Sequence, residues 1–157
     1  MGINELAKRV AVALLDKGYT VSTAEECTCG LLGATIASQE YPERWYKGTM
    51  TAYTEEAINK ALGVPSHIIS ANGRVSCQVA QQMSIENLYK FESDISVGIV
   101  GNVDSADGEG QISIARMHDK GLRFSYKKIK LESEDKGKNI EKLIEESLRL
   151  ILEHLSE

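Results

Sequence analysis

A short segment, residues 24–30, holds the side chains of this chain that are best suited to chemistry. Its carboxylates and thiols follow one another as Glu25, Glu26, Cys27 and Cys29. A carboxylate can take a proton from water as a general base, and a thiolate can attack a carbonyl carbon. A strand-like run precedes the segment, and a small, apolar, helix-like run follows it. The pattern predicts a tight turn that enters a helix, where free backbone N–H groups attract negative charge.

Glu26 has two interpretations at such a turn. It could activate water as a general base, although the sequence shows no second member of a catalytic pair. Alternatively, its full negative charge weakens the binding of a phosphate or of a developing oxyanion at the helix N-terminus. The sequence alone leaves both interpretations open.

The two thiols also have more than one interpretation. A helix N-terminus favours the thiolate of Cys27 or Cys29, but the adjacent carboxylates oppose that ionisation, and a small half-buried thiol is the simpler assignment. A soft metal would need wider ligand spacing and a second ligand pair. The histidines, which show no ligand spacing, are His67, His118 and His154. We therefore expect no metal and no cofactor.

Composition limits the class of protein. The chain has 157 residues, 42% of them apolar, which suits one globular domain over residues 1–157. A net charge of -5 gives no broad attraction to nucleic acid, and no apolar run reaches the length of a membrane span. Three cysteines make a poor disulfide framework, which favours a reducing, cytoplasmic location. We expect no nucleic-acid partner and no membrane partner.

Hydrophobic periodicity predicts alternating helices and strands. The predicted helices run from Ile3 to Gly18, from Gly30 to Ser38, from Thr54 to Gly63, from Ser76 through Leu88, and from Asn139 to Leu155. The predicted strands are Tyr19–Ala24, Gly48–Tyr53, Asp94–Gly101, Gln111–Met117 and Leu122–Leu131. A hairpin turn at Asp119–Gly121 makes the last two strands antiparallel. These elements predict an α/β fold, a three-layer α/β/α sandwich with a mixed sheet.

Several motifs resemble those of one known family. Residues 24–30 are similar to AESCTGG, the signature of the CinA C-terminal family. The other similar stretches, in the same order and spacing, are Tyr46–Thr54 with Ala61–Pro65 (family FKGG, AYSNEAK and LLGVP), Gly73–Ala80 (GAVSEEVA), Asp94–Gly101 (VTGIAGP) and Gly110–Ala115 (GTVWIA). The resemblance covers nearly the whole chain and implies the family's sandwich fold and a homo-oligomer.

The resemblance also implies a site, and the chain departs from the family at that site. Characterised members are nicotinamide mononucleotide deamidases, whose motif serine is the nucleophile and falls at Glu26 here. The lysine that activates the serine falls at Ile58, and Lys60, two residues further along a helix, faces elsewhere. The threonine of the third motif falls at Val100. Three positions that carry the family's chemistry are therefore replaced.

The family's ligand pocket maps onto a wider set of positions. The ligand-binding positions that the resemblance implies are Cys27, Thr28, Cys29, Gly30, Tyr53, Gly101 and Asn102. The family's basic residues before the last helix are represented by Lys136, Lys138 and Lys142. Gly30 and Gly33 could form a phosphate cradle, although close helix packing explains them equally well. The implied small-molecule partner is a pyridine nucleotide.

Three hypotheses for function follow. The first is a catalytically impaired relative of the deamidases that serves as a nucleotide-binding or interaction module. The second is an active amidase that converts nicotinamide mononucleotide to nicotinate mononucleotide and ammonia through rearranged residues, without a metal. The third is a structural partner protein that binds no nucleotide.

Overall fold

The computed structural model describes all residues from 1 to 157. Its helices are α1 (Ile3–Lys17), α2 (Leu31–Ala37), α3 (Glu55–Leu62), α4 (Ser66–Asn72), α5 (Cys77–Phe91) and α6 (Lys136–Leu155). Its strands are β1 (Val21–Glu25), β2 (Tyr46–Thr51), β3 (Ile95–Gly101), β4 (Glu109–His118) and β5 (Gly121–Lys130). A single 3-10 turn, Pro42–Arg44, precedes β2.

The five strands form one mixed sheet in the order β2-β1-β3-β4-β5. Strand β1 lies parallel to both of its neighbours, β2 and β3, whereas β4 runs antiparallel to both β3 and β5. Every residue of β3 is buried, as expected for a central strand covered on both faces. The predicted α/β/α sandwich with a mixed sheet is confirmed.

Helices cover both faces of the sheet. Helices α1, α2 and α6 pack on one face, where β3 contributes Ile95, Val97 and Ile99 to the larger apolar core. Helices α3, α4 and α5 pack on the other face around a smaller apolar core. Successive side chains of β3 point to opposite faces of the sheet, so the strand contributes to both cores.

Two helix starts that local sequence predicts are confirmed. The hydroxyl of Thr54 accepts a hydrogen bond from the backbone N–H of Ala57, and the hydroxyl of Ser76 accepts one from Val79. These N-caps fix the start of α3 and of α5. Gly18 ends α1 in the left-handed conformation, with φ of 69°, as its position after the helix indicated.

Other boundaries differ from the predictions. Helix α4 was not predicted, because it has only seven residues and a single buried one, Ile69, so it shows no apolar periodicity. Helix α6 begins at Lys136 and not at Asn139, because the carboxylate of Asp135 accepts hydrogen bonds from the backbone of Gly137 and Lys138. Strand β1 begins at Val21 and not at Tyr19.

Helix α6 is the longest helix and is amphipathic. Its buried stripe includes Leu143, Ile144, Leu148 and Ile151, and polar side chains fill the opposite face. No helix of the chain combines the length and the apolar character that a membrane span requires.

Gly98 on β3 provides a test of this packing. A Cβ atom at Gly98 would overlap the carbonyl oxygen of Ala80 on α5, so the strand and the helix would have to separate. We expect Gly98→Ala to lower the free energy of unfolding by about 2 kcal/mol, measured by urea denaturation. Gly2→Ala, whose new Cβ meets no atom within 4 Å, is the control and should change it by less than about 1 kcal/mol. Equal effects would contradict this packing.

Candidate functional site

The candidate site lies at one edge of the sheet, where its three parallel strands end. Strands β2, β1 and β3 run in the same direction and finish at Thr51, Glu25 and Gly101. In open α/β sheets ligands bind beyond the carboxyl ends of the strands. Residues 24–30 follow the middle strand of these three, so the segment singled out in the sequence lies at this edge.

The carboxylate of Glu25 joins the end of β1 to the start of α2. It is fully buried and accepts hydrogen bonds from the backbone N–H groups of Leu32 and Gly33, at 3.0 and 2.8 Å. It also accepts from the hydroxyls of Thr23 and Thr28, at 2.9 and 2.5 Å. A carboxylate of the preceding strand thus satisfies two free N–H groups in the first turn of α2. The hydroxyl of Thr28, a predicted ligand-binding residue, is engaged with this carboxylate.

The turn between β1 and α2 contains two consecutive left-handed residues. Cys29 has φ of 49° and Gly30 has φ of 89°. A residue with a Cβ atom pays roughly 1 kcal/mol for this conformation, and the similar family motif has glycine at the position of Cys29. The Cys29 thiol is exposed and lies 3.4 Å from the carbonyl oxygen of Glu26. The turn therefore keeps its shape although a cysteine occupies a strained position.

The carboxylate of Glu26 is buried and forms an ion pair. Its carboxyl oxygen Oε2 lies 2.7 Å from Nη1 of Arg74, and its side chain is only 3% exposed. Its other oxygen, Oε1, accepts a hydrogen bond of 3.1 Å from the backbone N–H of Gly101. Arg74 also donates from Nη2 to Oδ1 of Asn102 at 2.9 Å. The structure therefore brings Glu26, Gly101 and Asn102 together around a residue that the sequence analysis did not identify.

Burial governs the acid–base behaviour of Glu26. Removal from water raises the pKa of its carboxyl above the usual value, while the Gly101 N–H group and the Arg74 guanidinium oppose that rise. Both carboxyl oxygens already have partners. Because the side chain is only 3% exposed, water has little access to either oxygen, so the arrangement disfavours general-base chemistry.

Cys27 lies deeper than Cys29. It is 2% exposed, and a Cβ atom at Gly101 would lie 3.1 Å from its Sγ. Burial raises the pKa of the Cys27 thiol well above the usual range, and the charge of Glu26 raises it further. The thiol is therefore protonated at neutral pH and is unsuited to act as a nucleophile.

The positions of the family's lysine and threonine lie in an apolar environment. Ile58 and Val100 are both fully buried in the smaller core, together with Ala24 and Ala52. Lys60 lies on another face of α3, where it pairs with Glu56 on the surface at 2.9 Å. No ammonium group of α3 therefore reaches Glu26.

Tyr53, Lys136 and Asp104 form a polar rim at the same edge. The Lys136 ammonium lies 3.3 Å from Asp104 Oδ1, and contact with Asp104 and with the Tyr53 hydroxyl raises the pKa of Lys136. Tyr53 follows β2 and Asp104 follows β3, so the rim crosses the end of β1, which lies between them. Half of the Tyr53 side chain is exposed. Of the other basic candidates, Lys142 is directed elsewhere, since it pairs with Glu146.

Packing accounts for one of the two glycines in the possible phosphate cradle. A Cβ atom at Gly33 would overlap the hydroxyl of Thr49 on β2, so glycine is needed there for helix α2 to approach the sheet. Gly30 is required for its left-handed backbone. Both residues have structural reasons that do not involve a phosphate.

Two residues contribute to the site in ways that the sequence does not reveal. Arg74 is a single basic residue between α4 and α5, and no spacing pattern linked it to residues 24–30. In the sequence, Glu25 is one of two adjacent carboxylates that could act as a base or oppose thiol ionisation, and neither role predicts its contacts with α2. The one signal available for Glu25 was its acidic side chain a few residues before a predicted helix start.

We predict that Glu25 is required for stability. Glu25→Ala leaves two buried N–H groups and two hydroxyls without their acceptor and should lower the free energy of unfolding by about 3 kcal/mol. Glu25→Gln keeps one oxygen but turns an NH₂ group toward donors, so we expect a loss of about 2 kcal/mol. Glu55→Ala removes an exposed acid from the first turn of α3 and should cost less than about 1 kcal/mol. Urea denaturation of the three variants measures this order.

We predict that the stability contribution of Arg74 depends on pH. Arg74→Ala removes the cation that lowers the pKa of Glu26, so the buried carboxyl should take up a proton more readily. A carboxyl with a raised folded-state pKa favours the folded state at low pH, and this contribution is lost as pH rises through that pKa. The variant should therefore lose about 2 kcal/mol near pH 8 and clearly less near pH 5.

The Arg74 experiment has two controls. The double variant Glu26→Gln with Arg74→Ala has no carboxyl to titrate and should lose the pH-dependent difference. Lys60→Ala breaks an exposed pair and should change stability by less than about 1 kcal/mol at either pH. An Arg74→Ala deficit that is the same at both pH values would show that the pair does not control the ionisation of Glu26.

Comparisons with known proteins agree with the fold and the motifs. A family model described as the CinA C-terminal domain matches residues 3–155. A CinA-like protein of Flavobacterium psychrophilum is 32% identical over 145 residues, which cover 89% of this chain and 33% of the relative. A CinA-like protein of Dictyoglomus turgidum is 31% identical over 137 residues, which cover 85% and 33%. The chain spans about a third of the length of these curated relatives.

Solved structures share the fold. The competence/damage inducible protein CihA of Agrobacterium tumefaciens superposes with a TM-score of 0.89 at 22% identity, covering 99% of this chain and 96% of that one. A CinA superfamily protein of Klebsiella pneumoniae superposes with a TM-score of 0.87 at 22% identity, covering 99% of each chain. With the family match over nearly the whole sequence, these likenesses confirm the resemblance seen in the motifs: this chain belongs to the CinA C-terminal domain family.

Proposed function

We propose that this chain has lost the amidohydrolase chemistry that the resemblance implies and acts as a binding module for a pyridine nucleotide at the same edge of the sheet. The observation that carries the proposal is the closed ion pair between Glu26 and Arg74. It occupies the place where the similar family motif has its nucleophile.

Hydrolysis of an amide without a metal needs a nucleophile and a group that accepts its proton. Position 26 offers a carboxylate with both oxygens engaged, and position 58 offers a hydrocarbon. The neighbouring thiol of Cys27 is buried and protonated. These contacts support the loss of the family's reaction at this site.

The polar rim supports retained binding. The exposed ring of Tyr53 offers a face on which an aromatic base can stack. Lys136 offers an ammonium for a phosphate, and its present partner Asp104 is 78% exposed. An exposed pair of this kind contributes little to stability, so a phosphate can displace Asp104 readily. The ion pair of Glu26 with Arg74 would lie below the bound ligand.

One observation favours a second candidate, the active amidase with rearranged residues. Tyr53 and Lys136 place a hydroxyl beside an amine at the candidate edge. Contacts that raise the pKa of Lys136 keep that amine protonated, which makes it a poor acceptor for the proton of the hydroxyl. The first proposal is therefore the better supported.

Ammonia release separates the two candidates. We expect no ammonia from nicotinamide mononucleotide above the background of a protein-free sample. Turnover by the unaltered chain that is abolished by Glu26→Gln, Cys29→Ala or Tyr53→Phe would contradict the proposal and identify the residue that supports the amidase. Lys60→Gln, an exposed charge removed from another face of α3, is the control for nonspecific effects.

Calorimetric titration with nicotinamide mononucleotide tests the binding role separately. We expect binding by the unaltered chain, a dissociation constant raised at least about tenfold by Lys136→Gln, and no change in Lys60→Gln. Tyr53→Ala should weaken binding by a similar factor if the base stacks on the ring. Absence of both turnover and binding would favour the structural partner protein.

A further inference from the structure

Two arginines lie side by side at the end of the sheet opposite to the candidate site. Arg116 on β4 pairs directly with Arg123 on β5 in the antiparallel register. Arg116 also pairs with Ile95, the first residue of β3, whereas the candidate site follows the last residue of that strand. Directly opposed like charges on neighbouring strands are destabilising unless another group compensates for them.

Neither arginine has an acidic partner. The ion pairs of the chain include no contact to Arg116 or Arg123. Further along the same strand, Lys127 of β5 meets Glu146 of α6 at 2.6 Å. The same helix thus supplies a carboxylate to one cation of β5 and none to the arginine pair.

Arg116 is an unusual residue to leave without a partner. It is only 6% exposed, and its Nε is buried without a hydrogen-bond acceptor. Its one specific contact is with the ring of Tyr19, whose centroid lies 5.9 Å from the guanidinium carbon. A buried charge without a hydrogen-bond partner is costly, and such a group calls for an explanation.

The surrounding groups do not neutralise the pair. His154 of α6 is 1% exposed, and its Nδ1 lies 2.6 Å from the hydroxyl of Ser125. Burial lowers the pKa of His154, Arg116 and Arg123 lower it further, and only Glu157 acts to raise it. Glu157 is exposed two residues beyond the end of α6, and none of the ion pairs of the chain includes it.

We propose that Arg116 and Arg123 form a binding site for a phosphate group, either free phosphate or the phosphate of a small metabolite. Two guanidinium groups supply the charge that balances a dianion, and their N–H forks match its oxygen atoms. Because Arg116 is recessed and nearly buried, the ligand group that reaches it must be small. The site is independent of the nucleotide-binding edge and does not depend on the proposed function.

Calorimetric titration at constant ionic strength tests the site. We expect inorganic phosphate to bind the unaltered chain, and Arg123→Gln, which alters an exposed residue, to raise the dissociation constant at least about tenfold. The matched control is Arg44→Gln. Arg44 is also an exposed arginine without an acidic partner, and its guanidinium lies over Tyr41, so its removal subtracts the same charge elsewhere. Ribose 5-phosphate in place of inorganic phosphate distinguishes a free anion from a phosphorylated metabolite.

A second measurement uses His154 as a reporter. Phosphate bound to the arginine pair should raise the pKa of His154, because it offsets the two charges that now lower it; a proton NMR titration of the ring measures this shift. Arg123→Gln should remove the response to phosphate while the fold is retained. No binding up to about 10 mM phosphate, or equal weakening by Arg123→Gln and Arg44→Gln, would overturn the proposal.

Discussion

The buried carboxylate of Glu25 is the contact on which the candidate site depends. It accepts hydrogen bonds from two N–H groups at the start of α2 and thereby fixes that helix to the end of β1. The backbone N–H of Glu26 bonds to the carbonyl of Ile99 on the adjacent strand, at 3.0 Å. The turn is therefore held from both sides, and the side chains of Glu26 and Cys27 are directed toward the end of β3. Free N–H groups at a helix start would otherwise require another acceptor in the interior.

Within this fixed turn, the residue type at position 26 decides what chemistry is available. A serine hydroxyl is shorter, whereas the longer glutamate side chain reaches Arg74 and the Gly101 amide. Ile58 and Val100 lie together in one apolar cluster, so neither position presents a polar group to Glu26. The chain thus has the family's fold, while the contacts at this edge of the sheet depend on the residue at position 26.

The sequence predicts correctly those features that depend on interactions between residues close together along the chain. The helix starts at Thr54 and Ser76 are predictable from the sequence because a cap bonds to a backbone group only three residues away. The strands of the sheet were recognisable from short apolar runs. Helix α4 was not, because seven residues with one buried side chain carry no period. The start of α6 was placed too late, since its first turn is charged and is fixed by Asp135 before any apolar stripe begins.

The sequence by itself determined the family, the layered fold and the turn that carries Glu26. Motif order, hydrophobic periodicity and helix caps each depend on residues that are close together along the chain. It also showed which family positions are occupied by Glu26, Ile58 and Val100. Only the tertiary structure decided that Glu26 is paired and closed, because Arg74 reaches it from the connection between α4 and α5, a contact that no local pattern encodes. The same holds for the absence of an acid beside Arg116, since a missing partner is visible only after every packed element is in place.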